Sequence, residues 1–378
     1  MDTLINILSS HPSVKYGALL LAYMGLVRHL RYRRINALLH KYPDPTIPLR
    51  NLSIAKEVAA NVSELDFPYI NVVSLEFALF KTYAIPSISK ILAATKQFTS
   101  NCLRRTDDTV LILLEMNEGH GRNVRRTMLE GGKVDEEQLA NDERRREIAT
   151  ERLNFLHGHY NIKQGDYLYT LAMFILEPAV FIDKFEWRET TLLEKNALLA
   201  LWTANGKNMG IKDIPETLDE LKAWADAYED EHSQYNPANV EIADVTIDLL
   251  LSHQAPKFMH PFGRKAIAAL LTPRLRKAFN MPTPPAGLTT IMESALKARG
   301  LFIRYFMLPR RLPRVRTALR VNKEGKYVPA FHKYGVVYGD GYRVEDLGPE
   351  KFVGKCPISF HPSGITPASG PITPLEDL

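Results

Sequence analysis

The sequence predicts an all-α fold: one large helical domain, an N-terminal anchor helix and an irregular C-terminal tail. Three observations predict it. Apolar residues recur at spacings of three and four, the period of a helix with one buried face. Several of these stretches open on residues that cap helices. Only "KYVPAFHKYGVVYG", residues 326–339, alternates as a half-buried strand does. The chain has 378 residues, 45% apolar and 24% charged, enough for a sizeable core. Its 48 basic against 43 acidic residues are a mild excess that does not point to nucleic acid. The excess is local, at Arg28, Arg31, Arg33 and Arg34 and again from Arg299 to Arg320. Two cysteines, Cys102 and Cys356, exclude a disulfide scaffold and fit a reducing compartment. No Cys-x-x-Cys pair offers a zinc ribbon or a covalent haem attachment.

Each element follows in order. "YGALLLAYMGLV", Tyr16–Val27, is apolar but shorter than the roughly 20 residues of a span. Extension back to Leu4 supplies the length, and the arginines follow the run rather than precede it. Residues 1–34 therefore read as a single-pass signal anchor with its C-terminal side cytosolic; the other reading is an amphipathic or buried helix. Asp66–Phe98 reads as two helices divided near Pro86. Thr106–Asn117 continues as a helix with Thr106 or Asp107 as cap. Gly119–Glu147, rich in charge and glycine, reads as a solvated loop leading into a helix. Asp166–Phe185 is apolar on nearly all sides and belongs in the interior, with Pro178 expected to kink or end it. Thr191 and Glu194 have capping-box spacing, and Gly206 suits a C-terminal cap. Glu216–His232 has an acidic outer face, and Met281–Gly287 is a proline-rich break. The organisation is an anchor and basic flank over 1–34, a helical domain over 45–310 and a basic, irregular tail over 311–378.

The stretch "ERLNFLHGHYNI" holds two histidines. On a helix over 149–160, Ala149, Leu153, Leu156 and Tyr160 form the apolar stripe. His157 follows Leu153 by four and points inward, whereas His159 shares the opposite side with Arg152 and faces water. Histidines at i and i+2 do not face each other on a helix, so a shared metal is disfavoured. His157 is then either a core histidine satisfied by a hydrogen bond or a ligand. A neutral imidazole in an apolar pocket suits a non-covalent haem iron. "RRTDDT" places Arg105 and Thr109 four apart on one face. An arginine near a helix N-terminus is mildly unfavourable, unless it meets an anion such as a haem propionate or iron-bound oxygen.

These blocks, with "LDFPYINVVSLEFALFKTYAIPSISKILAATKQF", "RLNFLH", "DYLYTLAMFILEP", "FEWR" and "NMGI", resemble one family over about residues 25 to 310 and weakly over the tail "DLGPEKFVGKCP". The family is the ER-bound oxygenases of fungal secondary metabolism, typified by the side-chain-cleaving oxygenase of mycophenolic acid biosynthesis. Its catalytic domain is shared with bacterial rubber oxygenases, the latex-clearing proteins. The resemblance implies a helical domain enclosing a b-type haem, with the histidine of its R-x-x-x-L-H block, here His157 after Arg152 and Leu156, as the proximal iron ligand. It makes Arg105 and Thr109 residues that matter for activity near the haem. The rubber oxygenases carry a distal lysine where this chain has Asp108, which argues against rubber cleavage and for a distal site filled by water or open. Arg188 of "FEWR" matches without an assignable role.

The resemblance and the residues together imply a haem b-dependent oxygenase that cleaves a carbon–carbon double bond of a prenyl or other apolar side chain with dioxygen. Its partners are that substrate, dioxygen and the ER membrane, with the catalytic domain cytosolic. The basic stretch 299–320 adds surface binding. The rivals are a haem-dependent monooxygenase or peroxygenase and a cofactor-free, membrane-associated helical protein. Cys356 lacks the approach sequence of a thiolate haem ligand.

Overall fold

The computed structural model describes residues 12–355; residues 1–11 of the expected anchor, and Cys356, lie outside them. Helices follow in the order α1 (Pro12–Lys41), α2 (Ile47–Arg50), α3 (Leu52–Ala60), α4 (Pro68–Thr82), α5 (Pro86–Ala94), α6 (Gln97–Asn117), α7 (Gly119–Leu129) and α8 (Glu136–His157). Then come α9 (Gln164–Phe185), α10 (Leu192–Asn208), α11 (Leu218–His232), α12 (Pro237–Gln254), α13 (His260–Leu270), α14 (Pro273–Ala278) and α15 (Leu288–Phe306). A π-helical turn, Asn61–Asp66, extends α3. The fold is all-α, and no strand forms among the described residues. The alternating segment 326–339 makes only one antiparallel bridge, Tyr327 to Tyr342. Alternation there buries Tyr334, but no neighbouring strand runs alongside to extend the ladder.

Helix α9 is the centre, as its all-round apolarity predicts. Leu168, Ala172, Phe174 and Ile175 pack against Leu199 and Trp202 of α10, Leu221 and Ala225 of α11, and Leu75 and Leu79 of α4. Phe174 stacks on Trp202 at 4.9 Å. Pro178 does not end the helix, which runs on to Phe185. Helix α10 opens on the Thr191–Glu194 capping box. Gly206 is not its stop: it lies inside the helix against Leu171. The stop is Gly210 at φ +76°, followed by Ile211, whose N–H bonds to the Gly206 carbonyl at 3.0 Å. The role of Arg188 is structural. Its guanidinium is buried and donates to Glu194 Oε1 at 2.7 Å and Asp66 Oδ2 at 2.6 Å, pinning the start of α10 to the π-turn.

The charged stretch 119–147 departs most from expectation. It is helical over α7 and the first half of α8, and Arg122, Arg126 and Arg145 are among the most deeply buried large side chains. Arg145 grips Glu115 of α6 through Nε at 2.8 Å and Nη2 at 2.6 Å. Arg122 reaches Glu115 at 3.2 Å, Asp142 at 2.7 Å and the Thr317 hydroxyl at 2.7 Å. Arg126 closes on Asp142. Burial alone would push the Glu115 carboxyl up, but Arg145 and Arg122 outweigh it and hold the group below its ordinary value. Composition cannot separate solvated charge from paired, buried charge, because the partners lie far apart in sequence.

The tail is irregular but not loose. Val315, Arg316 and Thr317 are buried, and Tyr342, Val344 and Leu347 pack against α6 and α8. Helix α1 continues past Val27 through the arginines and packs Val27, Ile35 and Leu38 inward. Among the described residues no helix is long and apolar enough to cross a membrane. The single-pass anchor is therefore not supported there: the apolar run stops at Arg28, and the rest of the helix belongs to the domain.

Glu115→Gln removes one side of a buried charge cluster and leaves two arginines short of a partner. It is expected to cost about 3–5 kcal/mol of unfolding free energy in a denaturant titration. Lys222→Ala, which breaks an exposed pair with Asp226, is expected to leave the midpoint unchanged within error.

Candidate functional site

Helix α6 has two working faces. Asn101 leaves helical geometry and its Oδ1 accepts the Arg104 N–H at 3.2 Å, so Asn101 caps the straight portion, rather than Thr106 or Asp107. From there one face meets the tail. Arg104 pairs with Glu350 at 2.5 Å, Asp107 with Arg316 at 2.5 Å, and Asp108 accepts from the Tyr338 hydroxyl. Arg105 and Thr109 lie roughly a third of a turn round from that face and point elsewhere. The Arg105 guanidinium donates to Thr109 Oγ1, and that hydroxyl bonds back to the Arg105 carbonyl at 3.0 Å. The guanidinium also lies 5.6 Å from the Phe98 ring centroid. Among the described residues Arg105 has no ion-pair partner.

His157 is the last residue of α8, one turn after Leu153 and beside buried Leu156. The helix stops there, so the reading of a helix through Tyr160 is corrected: His159 and Tyr160 sit in a turn. His159 does not face water freely. Its Nδ1 lies 2.7 Å from the Phe155 carbonyl and its ring 4.5 Å from Phe352. Arg152 is also misplaced by the face argument. It is wholly buried and donates to the carbonyls of Leu347 at 2.7 Å and Phe352 at 3.1 Å. Gly348 follows at φ +112°, and a side chain there would strike Leu156. The tail thus seats on the end of α8 next to His157.

The inward orientation of His157 holds. Its Nδ1 is buried and has no hydrogen-bond partner, nor has Arg152 Nη2 on the same helix end. The ring lies 5.6 Å from Tyr167 at the start of α9. Burial, and then the positive charge of Arg105, push its pKa from 6.5 down to about 4. The imidazole is therefore neutral at physiological pH. Arg105 also acts electrostatically on Tyr83 and Tyr160, so α4, α6, α8 and the turn after α8 converge on one place. A neutral imidazole with a free buried nitrogen, facing a cation that lacks a carboxylate, fits a haem: a nitrogen for iron and a positive charge for an anionic edge. Asp108 is tied to Tyr338 and the Gly348 N–H; burial pushes its carboxyl up, against those two bonds and the field of Arg105. Among the described residues no three His, Cys, Asp or Glu side chains could hold a bare metal ion.

Residues 78–301, more than half of the chain, match the family described as "ER-bound oxygenase mpaB/B'/Rubber oxygenase, catalytic domain". The chain belongs to this family of oxygenases. A relative named ER-bound oxygenase mpaB' from Penicillium brevicompactum is 29% identical over 89% of this chain and 88% of its own. ER-bound oxygenase mpaB from Penicillium roqueforti (strain FM164) is 32% identical over 69% of this chain and 87% of its own. No solved structure gives a significant match.

Sequence reasoning missed the tail's part in the site: Tyr338, Gly348 and the carbonyls that Arg152 holds. The weak tail block "DLGPEKFVGKCP" was the available signal, since Leu347, Gly348 and Phe352 lie within it.

A lowered histidine pKa costs stability in acid. The unfolded imidazole takes up its proton near pH 6.5 and the folded one only near pH 4, so the contribution is complete above 6.5 and lost as pH falls through that window. The gap corresponds to about 3 kcal/mol. Haem-free protein is expected to lose stability between pH 6.5 and 4 in denaturant titrations, with a shallower fall in His157→Gln.

Proposed function

We propose that this chain is a haem b-dependent oxygenase associated with the ER membrane. It cleaves a carbon–carbon double bond in a prenyl or other apolar side chain, a tailoring step in secondary metabolite biosynthesis. The observation that carries the reading is the pairing of His157, neutral and with a free buried nitrogen, with Arg105, which lacks a carboxylate. The names of the relatives, ER-bound oxygenases, support the membrane placement and the reaction class.

His157 would be the iron ligand. Arg105 would meet a propionate or polarised oxygen, and Thr109 fixes the guanidinium by the hydrogen bonds described above. When bound, the haem supplies the redox chemistry with dioxygen. The chain's own part is to hold the ligand unprotonated, to place one positive charge and to exclude water. Phe98, Tyr83 and Tyr167 line the surroundings with ring surface. The substrate class follows from that apolar lining and from access through a membrane. Asp108 is a carboxylate, engaged with Tyr338 and Gly348, where the rubber oxygenases carry a lysine, and this argues against rubber cleavage.

The protein is expected to purify with a b-type haem spectrum. His157→Ala should abolish haem retention, while His159→Ala, whose imidazole is taken by the Phe155 carbonyl, should keep it. Equal retention in both variants would remove His157 as ligand.

Arg105→Ala and Thr109→Ala are expected to lower turnover more than haem content. With labelled dioxygen and a farnesylated aromatic acid, shortened aldehyde or acid products should carry the label. Label confined to a hydroxyl on an intact chain would replace cleavage by the monooxygenase reading.

A further inference from the structure

The outer half of α1 has no counterpart in a water-soluble surface. Leu19, Leu20 and Leu21 are 57%, 49% and 70% exposed, and Val14, Tyr16, Tyr23 and Leu26 are exposed too. Consecutive helical residues point about 100° apart, so the apolar surface runs round the whole helix and not along one stripe. The end of α15 meets this segment: the Tyr23 hydroxyl donates to the Phe306 carbonyl at 2.9 Å. There Leu301, Phe302, Phe306, Met307 and Leu308 are exposed as well, with Phe302 stacked on Phe306 at 5.3 Å. The two segments make one apolar surface from opposite ends of the chain.

Behind it lies a belt of positive charge. Arg28 and Arg33 of α1, and Arg310 and Arg311 just after α15, are exposed. None forms an ion pair among the described residues. Arg31, buried between them, donates to the Met307 carbonyl at 2.6 Å and the Leu308 carbonyl at 3.3 Å, and Arg34 to the Arg310 carbonyl at 2.5 Å. These bonds hold both halves of the belt together.

We propose that the outer half of α1 and the end of α15 insert together into one leaflet of an anionic lipid bilayer, with the four arginines at the headgroups. This deepens the membrane placement proposed above and stands apart from the oxygenase chemistry. Lipid is the occupant because it surrounds a helix on all sides, whereas a protein groove covers one face and leaves the others in water. The arginine belt matches phosphate charge. The depth is set by length and by Lys15. Among the described residues the unbroken apolar run, Tyr16–Val27, spans about 18 Å, against a hydrocarbon core of about 30 Å. Lys15 at its outer end reaches back to headgroups when the helix lies obliquely. Immersion of this kind is interfacial insertion and not a span.

The test uses the full chain with an N-terminal peptide tag and sealed phosphatidylcholine vesicles, with or without phosphatidylserine. Wild type is expected to float with the vesicles, more strongly when they are anionic, and external protease should digest the tag on bound protein. Leu20→Glu/Leu21→Glu and, separately, Leu301→Glu/Phe302→Glu change exposed positions and should keep the wild-type circular dichroism. Each pair should weaken flotation by at least about tenfold. Arg310→Glu/Arg311→Glu should remove the preference for phosphatidylserine. A protected tag would mean a span and overturn the proposal. Wild-type flotation of the α15 pair would overturn the part given to that segment while leaving ER association standing. A wild type that never floats, but forms a dimer that the α15 pair dissociates, would make a second copy the occupant and remove the membrane placement too. The haem spectrum reports separately on the oxygenase reading.

Discussion

Glu115 lies inside the molecule with two arginines and a tyrosine hydroxyl around its carboxylate, donated by α8, α7 and the tail. Taking such charges out of water costs several kcal/mol per ion, and only complete pairing offsets it. The geometry around it therefore tolerates little displacement. Helix α6 carries Glu115 near one end and Arg105 near the other, ten residues apart. Helix α8 carries Arg145 and His157, twelve apart. Leu111 and Ile112 pack with Ile148 and Ala149 between them. The two helices are thus antiparallel, and the distances along them, about 15 and 18 Å, nearly agree. Fixing Glu115 to Arg145 at one end fixes where Arg105 stands relative to His157 at the other. The charge cluster acts as a register pin for a site it does not touch.

The tail completes the same arrangement from outside. Arg316 pairs with Asp107, Arg104 with Glu350, Tyr338 with Asp108, and Arg152 holds the carbonyls of Leu347 and Phe352. Every one of these joins the tail to α6 or to α8. A segment without regular secondary structure cannot satisfy its backbone internally, so it borrows donors and acceptors from the helices it covers. That is why an irregular segment is buried here and not frayed. It also divides α6: of the polar residues in "RRTDDT", Arg104, Asp107 and Asp108 are spent on the tail, while Thr106 lies against Cys102 and Arg105 bonds to Thr109.

What the sequence showed depended on the range of the interaction. The helix period placed Leu153, Leu156 and His157 on the inner side, and i,i+4 spacing put Arg105 with Thr109; both are local geometry. The Thr191–Glu194 box is local too, and it stands as read. The same helix period puts Arg152 on the outer side with His159, and its carbonyl acceptors lie some two hundred residues away. Gly206 suited a cap by position, but the helix ran on one further turn to Gly210. The stretch 119–147 reads as solvated from its charge and glycine content, which carries no record of its ion-pair partners. The basic run 299–320 likewise divides, with Arg316 inside and Arg310 and Arg311 outside, a split that composition cannot make.

Arg105 stands apart from the other inward arginines. Arg122, Arg126, Arg145, Arg188 and Arg316 each have a carboxylate, and Arg152 has two carbonyls. Arg105 has a hydroxyl and a ring. A partly buried cation so placed is a desolvation cost that its own chain leaves uncompensated. Burial lowers the pKa of His157 first, and the field of Arg105 adds to it. The imidazole stays unprotonated, the state in which a histidine nitrogen binds iron. The guanidinium makes no ion pair among the described residues, although Asp108 feels its field. A haem, as proposed above, would meet both: His157 would hold its iron and Arg105 a propionate.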